Sequence, residues 1–209
     1  LDVNSEIFDS LKDLISFTVN NSSGFNRTIS LKDAGWNVSG STYSYELKDL
    51  PIGTYTVSEN GQTVVGYKVN TEYEVGSSKT NHISVQSTTT SSMSITNTYE
   101  KQTTSYSVEK KWSDSKNQLQ VRPDSVKVQL YADNSPVDGQ TVELSNDNNW
   151  KYEWTGLDKF NADGSVIKYS AQEVDVNPNY SVSYDGNIIK NTLKTTSYQV
   201  VKKWDDENN

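Results

Sequence analysis

Three polar side chains in the second half of the chain stand where a strand pattern predicts burial: a lysine, a glutamate and an asparagine. In SVEKKW, the period-two alternation of a β-strand puts Val108, Lys110 and Trp112 on one face and turns Lys111 to the other. Trp112 belongs in a core, so Lys110 is aimed inward beside it. The same alternation sets Glu173 in phase with Tyr169 and Ala171, and Asn191 in phase with Ile189 and Leu193. An amine, a carboxyl and a carboxamide are costly to bury in a small β domain unless they meet and satisfy one another. Their chemistry would be acid–base and nucleophilic, carried by groups whose proton affinities burial shifts.

The first half repeats part of this pattern. Tyr43, Tyr45 and Leu47 followed by Leu50 overlay Trp150, Tyr152 and Trp154 followed by Leu157. Tyr55, Val57 and Glu59 overlay Tyr169, Ala171 and Glu173, and SITNTY, with Asn97, overlays IIKNTL, with Asn191. No lysine in phase accompanies Glu59 and Asn97. Lys12 is the nearest, but it is out of phase with Ile15, Phe17 and Val19 and is expected to face solvent.

Composition narrows the function classes. The chain has no cysteine, which excludes disulfides, thiolate metal sites and cysteine nucleophiles, and one histidine, His82, expected to be an ordinary strand residue. No metal site or cofactor is expected. Nineteen basic against twenty-seven acidic residues give a net charge of −8, which argues against nucleic acid or an anionic membrane surface as partner. There is no apolar run long enough to span a bilayer, and the opening LDVNSE has no signal-peptide character, so any signal peptide or anchor is expected outside this fragment.

Abundant Thr, Ser, Val, Tyr and Asn with frequent alternation predict an all-β protein. Expected strands are 14–19, 42–47, 54–59, 67–73, 82–86 and 93–99, then 106–112, 125–132, 140–144, 150–154, 167–174, 180–184 and 188–193. Turn-rich stretches separate them, with Ser87 to Ser92 a loop or edge and Asp185-Gly186 a tight hairpin turn. The segment Thr103 to Asn117, TTSYSVEKKWSDSKN, returns at Thr195 to Asn209 as TTSYQVVKKWDDENN. The expected organisation is therefore a domain at 1–102 lacking its opening strand, a domain at 103–194, and the opening strand of a following repeat at 195–209, with the two domains end to end across the short polar junction EKQTT.

These residues resemble the CnaB-type domains of Gram-positive surface adhesins and pilins. The resemblance rests on VEKKW, RPDSVKVQLYAD (Arg122 to Asp133), NWKYEWTGL (Asn149 to Leu157), YSAQEV and the closing IIKNTL, and in the first unit on LPIGTYTVSE and ITNTY. It implies immunoglobulin-like sandwiches in which an autocatalytic isopeptide bond joins Lys110 to Asn191, with Glu173, and Glu59 in the first domain, assisting. The amine attacks only when unprotonated, so the site is expected to pull it from about 10.4 to near or below neutrality, a shift of roughly 3 units or about 4 kcal/mol. Glu173, kept protonated, is expected to hydrogen-bond the Asn191 carbonyl. The bond forms once per domain, so this is maturation and not enzymatic turnover. Asn97 in the first domain would need a lysine from outside this chain or Lys202 in trans. For 195–209 two readings stand: a loosely packed end, or a strand that exchanges into the vacant slot of a neighbouring molecule.

The implied role is a structural stalk repeat of a cell-wall-attached extracellular protein, an adhesin or pilus-like fibre, whose partners are its own neighbouring domains and, through a distal domain, a host ligand. The alternative is a module that itself recognises host protein or glycan through aromatic residues such as Trp112, Trp150, Tyr152, Trp154 and Tyr169, although alternation makes most of these core or cross-strand pairs. The acidic clusters Asp205-Asp206-Glu207 and Asn161 to Gly164 lack calcium-loop spacing and read as solvated turns. Asn26-Arg27-Thr28 matches a glycosylation triplet without that meaning in a bacterial protein.

Overall fold

The computed structural model describes residues 11–87 and 89–205. The opening LDVNSE, Thr88 in the polar run, and residues 206–209, which close the returning segment and include two members of its acidic cluster, lie outside the described residues. The chain divides into two compact units, Leu1–Gln102 with Phe160–Ser165, and Thr103–Lys159 with Val166–Asn209.

The first unit contains β1 (Ser16–Asn21), β2 (Asn26–Ser30), β3 (Asn37–Ser39), β4 (Thr42–Ser44), β5 (Gly53–Asn60), β6 (Tyr67–Val75), β7 (Ser78–Lys79), β8 (His82–Val85) and β9 (Ser94–Lys101). They form one sheet in the order β2-β1-β5-β8, a second in the order β7-β6-β9, and the separate hairpin β3-β4. Its core falls into two clusters, one of Leu11, Ile15 and Tyr99, the other of Val19, Tyr55 and Val57. Gly61 follows β5 at φ +81°, and a Cβ there would lie 2.0 Å from the Leu14 carbonyl oxygen, so only glycine lets these backbones approach.

The second unit contains β10 (Thr103–Ser113), β11 (Ser125–Ala132), β12 (Ser135–Ser145), β13 (Lys151–Asp158), β14 (Tyr169–Val174), β15 (Tyr180–Asp185) and β16 (Ile188–Leu193). Two sheets, β13-β10-β16-β15 and β12-β11-β14, enclose a single core. Val108, Trp154 and Ile189 meet Val126, Val128, Leu130, Leu144 and Ala171 there. This sheet-on-sheet packing buries alternate residues of each strand. β10 lies in the middle of its sheet, antiparallel to β13 and parallel to β16, so the unit's first and last strands run side by side.

The all-β expectation holds, and two strands, 125–132 and 188–193, have the expected bounds. Others differ. β1 starts at Ser16, after a helical turn in which Leu11 is buried and Lys12 half-buried, so strand phase does not govern Lys12 and it does not simply face solvent. The strand expected at 42–47 keeps only Thr42–Ser44, and β2, β3 and β7 are additional. These three short strands are largely polar and leave little alternation to read: β2 buries a single residue, Ile29, among five. β14 begins at Tyr169 rather than 167. The segment 195–205, expected as an opening strand, forms none: Tyr198 and Trp204 are 90% and 77% exposed, and Lys202 Nζ lies 3.3 Å from the Trp204 ring centroid.

Candidate cross-linking site

The alternation of β10 delivers Val108 and Lys110 to the core face and leaves Lys111 exposed. Glu173 reaches the same point from β14 in the facing sheet, where it stands opposite Val128, and Asn191 comes from β16, beside Trp112 of β10. The side chains of Lys110 and Glu173 are 0% and 1% exposed, and Asn191 is 0% exposed. Lys110 Nζ lies 3.6 Å from Glu173 Oε2, and Asn191 Nδ2 donates to Glu173 Oε1 at 3.0 Å. The carboxyl thus spans the amine and the amide, one oxygen toward each. Lys110 Nζ also donates to the Lys111 carbonyl at 3.3 Å and sits 3.9 Å from the centre of the Trp112 ring.

Two features depart from expectation. Glu173 contacts the amide nitrogen of Asn191 and not its carbonyl oxygen. Burial lowers the Lys110 pKa from 10.5 to about 8, short of neutrality, because the Glu173 charge and contact favour the ammonium. Among the described residues Glu173 Oε2 and Asn191 Oδ1 are buried without a hydrogen-bond partner. Such orphaned atoms ordinarily cost about 1–3 kcal/mol each, so a site that keeps two of them needs a reason.

Asp114 and Tyr180, which the sequence reading did not single out, join Arg122, Trp112 and Trp150 in a cluster next to Lys110. Asp114, buried, accepts from Arg122 Nε at 2.8 Å and Nη2 at 2.5 Å, from Tyr180 Oη at 3.1 Å and from the Asn117 amide at 3.1 Å. The Arg122 contact holds its carboxyl below the usual carboxylate range. Trp112 packs edge-on against Trp150 and Tyr180, at 5.2 and 5.1 Å, with the Arg122 guanidinium 5.1 Å from its ring. The signal was available: Asp114 continues the inward phase of Lys110 and Trp112. Of the aromatic residues considered as a glycan platform, Trp154 is buried, Trp112, Trp150 and Tyr169 are half-buried, and Tyr152 alone is exposed.

In the first unit Glu59 and Asn97 also meet. Asn97 Nδ2 donates to both Glu59 oxygens, at 2.8 and 2.9 Å, and burial raises the Glu59 pKa against the opposing effect of that hydrogen bond. Asn97 Oδ1 accepts from Thr71 Oγ1 at 2.7 Å. Thr71 pairs with Asn97 as Val182 pairs with Asn191, so a hydroxyl stands where the second unit has a methyl group.

The family model described as the Cna protein B-type domain matches residues 106–192, the span that holds Lys110, Glu173 and Asn191. The second unit is a Cna B-type domain. Residues 15–100 match a family described as a domain of unknown function, DUF5979. A collagen adhesin of Staphylococcus aureus is 35% identical over 178 residues, 82% of this chain; the chain spans 14% of that adhesin's length. Among solved structures, a single B repeat unit of the collagen-binding surface protein of S. aureus is 24% identical, with a TM-score of 0.43, over 91% of this chain and 92% of that one. A pilus adhesin of Lactobacillus rhamnosus GG is 20% identical, with a TM-score of 0.34, over 54% of this chain and 15% of that one.

Proposed function

We propose that the Cna B-type unit welds its first strand to its last through an amide bond between Lys110 and Asn191, and that the chain serves as a stalk repeat of a Gram-positive surface adhesin or pilus-like protein. The unprotonated Nζ attacks Cγ of Asn191. The new C–N bond forms, the Cγ–Nδ2 bond breaks, and one ammonia leaves. Glu173 is placed to relay the proton, taking it from the amine at Oε2 and passing it to the departing Nδ2 at Oε1. Folding supplies the proximity, and the dry pocket supplies the neutral amine. The observation that carries this reading is the amine and the amide buried on adjacent parallel strands with the carboxyl reaching them from the facing sheet, one of its oxygens toward each.

A link from Lys110 to Asn191 closes a loop of about 80 residues, worth roughly 4–5 kcal/mol on the chain-entropy model. That is a large share of a small domain's stability. In a chain without cysteine it is a covalent staple that no reductant opens. Intact-mass measurement tests it: the folded chain is expected to weigh one ammonia less than its sequence, and Lys110→Ala, Glu173→Ala and Asn191→Ala each to regain the full mass. Full mass in the unmutated folded chain overturns the reading.

A further inference from the structure

Asn191 is flanked by Trp112 of β10 and Val182 of β15, its register partners on either side. Its Oδ1 is buried without a hydrogen-bond partner, although this is the atom on which negative charge gathers when an amine attacks Cγ. In the first unit the corresponding oxygen, Asn97 Oδ1, accepts from Thr71 Oγ1 at 2.7 Å, and Thr71 holds the place of Val182. A valine side chain offers no donor, so one must reach Asn191 Oδ1 from elsewhere.

The opposite flank has one to give. Among the described residues two buried side-chain N–H groups lack an acceptor, Trp112 Nε1 and Trp154 Nε1. Trp154 stands on β13, which β10 separates from β16. Trp112 is the register partner of Asn191, and side by side on adjacent strands the two side chains project to the same face. Its indole also borders the nucleophile, since Lys110 Nζ lies 3.9 Å from the ring centre. Trp150 and Tyr180 hold the ring edge-on at 5.2 and 5.1 Å, and Tyr180 Oη is in turn fixed by Asp114. A donor and an acceptor are thus buried and unpaired on neighbouring residues, beside the carbon under attack. We propose that the Trp112 indole N–H is the oxyanion donor of this site, hydrogen-bonding Asn191 Oδ1 as the tetrahedral intermediate forms.

Trp112 acts in this way only if Lys110 joins Asn191 as described above, the reading on which its role rests. As Nζ bonds to Cγ, the carbonyl π pair moves onto Oδ1, where the indole N–H meets it. Glu173 carries the amine proton to Nδ2. The pair then returns from Oδ1, the Cγ–Nδ2 bond breaks and ammonia departs, while the indole keeps its proton throughout. A donor left unpaired in the resting site favours the intermediate over the starting amide, which is the condition for a faster reaction. In a dry interior such a fixed N–H acts on the developing charge with no water to compete.

The test times ammonia loss by intact mass in the freshly translated whole chain. Trp112→benzothienylalanine keeps the two-ring shape and puts sulfur in place of the N–H. It is expected to slow the reaction on the order of 100-fold without moving the pH at which the rate levels. Trp112→Phe is expected to be slow as well, and adding Val182→Thr, which supplies a hydroxyl where Thr71 stands in the first unit, to restore most of the lost rate. A packing defect would not be repaired by a hydroxyl on the opposite flank. A sulfur-containing chain that reacts as fast as the unmutated one overturns the proposal, as does a Trp112→Phe chain that Val182→Thr leaves equally slow. Failure of the unmutated chain to lose ammonia defeats the bond itself, whereas equally prompt loss in all of these chains defeats the donor alone.

Discussion

Beyond Glu173, the amine of Lys110 feels two further charges: Arg122 lowers its proton affinity and Asp114 raises it. The other charged groups on the neighbouring strands, Lys151, Glu153 and Asp158 of β13 and Lys190 of β16, are exposed. Bond formation needs the neutral amine, so its rate is expected to climb with pH up to about 8 and then level. Replacing Arg122 by Gln leaves Asp114 uncompensated, favours the ammonium and moves the profile to higher pH. Asp114→Asn moves it lower, and the double variant returns it toward the starting profile. The readout is the time course of ammonia loss in freshly translated chain shifted to a series of pH values. A lost brace alone would make the double variant the worst of the three. At this scale much was legible, because alternation alone turned Lys110, Glu173 and Asn191 inward. What it could not supply was the partner atom on the amide, or the offset by Glu173 that stops the lysine at about 8, since both depend on distances across two sheets.

At the scale of elements, strands with strong alternation and apolar residues announced themselves, as in SVKVQLYA at β11 and IIKNTL at β16. Edge strands with little to bury did not, and neither did β12, whose SPVDGQ start carries Pro136 and Gly139 within the strand. The register shift between Gln129 and Tyr131 lets β11 and β12 stay paired through that stretch. The returning TTSYQVVKKW has the local preferences of β10 but forms no strand among the described residues, so propensity alone does not make one. Gly61 is a place where one residue holds an element junction. Gly61→Ala is expected to destabilise the first unit by more than about 1 kcal/mol, seen as a lowered denaturation midpoint, because alanine at that positive φ also meets the Leu14 carbonyl. An unchanged midpoint would show that the turn rearranges freely.

For the second unit as a whole, parallel first and last strands mean that tension enters along β10 and leaves along β16, past the proposed bond. Pulled by its ends, the welded unit is expected to withhold about 80 residues, roughly 270 Å of extension, which Glu173→Ala would release. Single-molecule force extension measures that difference, and equal extension of the two chains would contradict the load path. The same variant is expected to lose about 4–5 kcal/mol in chemical denaturation. The most direct measurement is tandem mass spectrometry of a proteolytic digest of the folded chain. The account predicts a branched peptide in which the side chain of Lys110 is joined to that of Asn191 with one ammonia missing. Recovery of the two peptides separately, each at full mass, would contradict it.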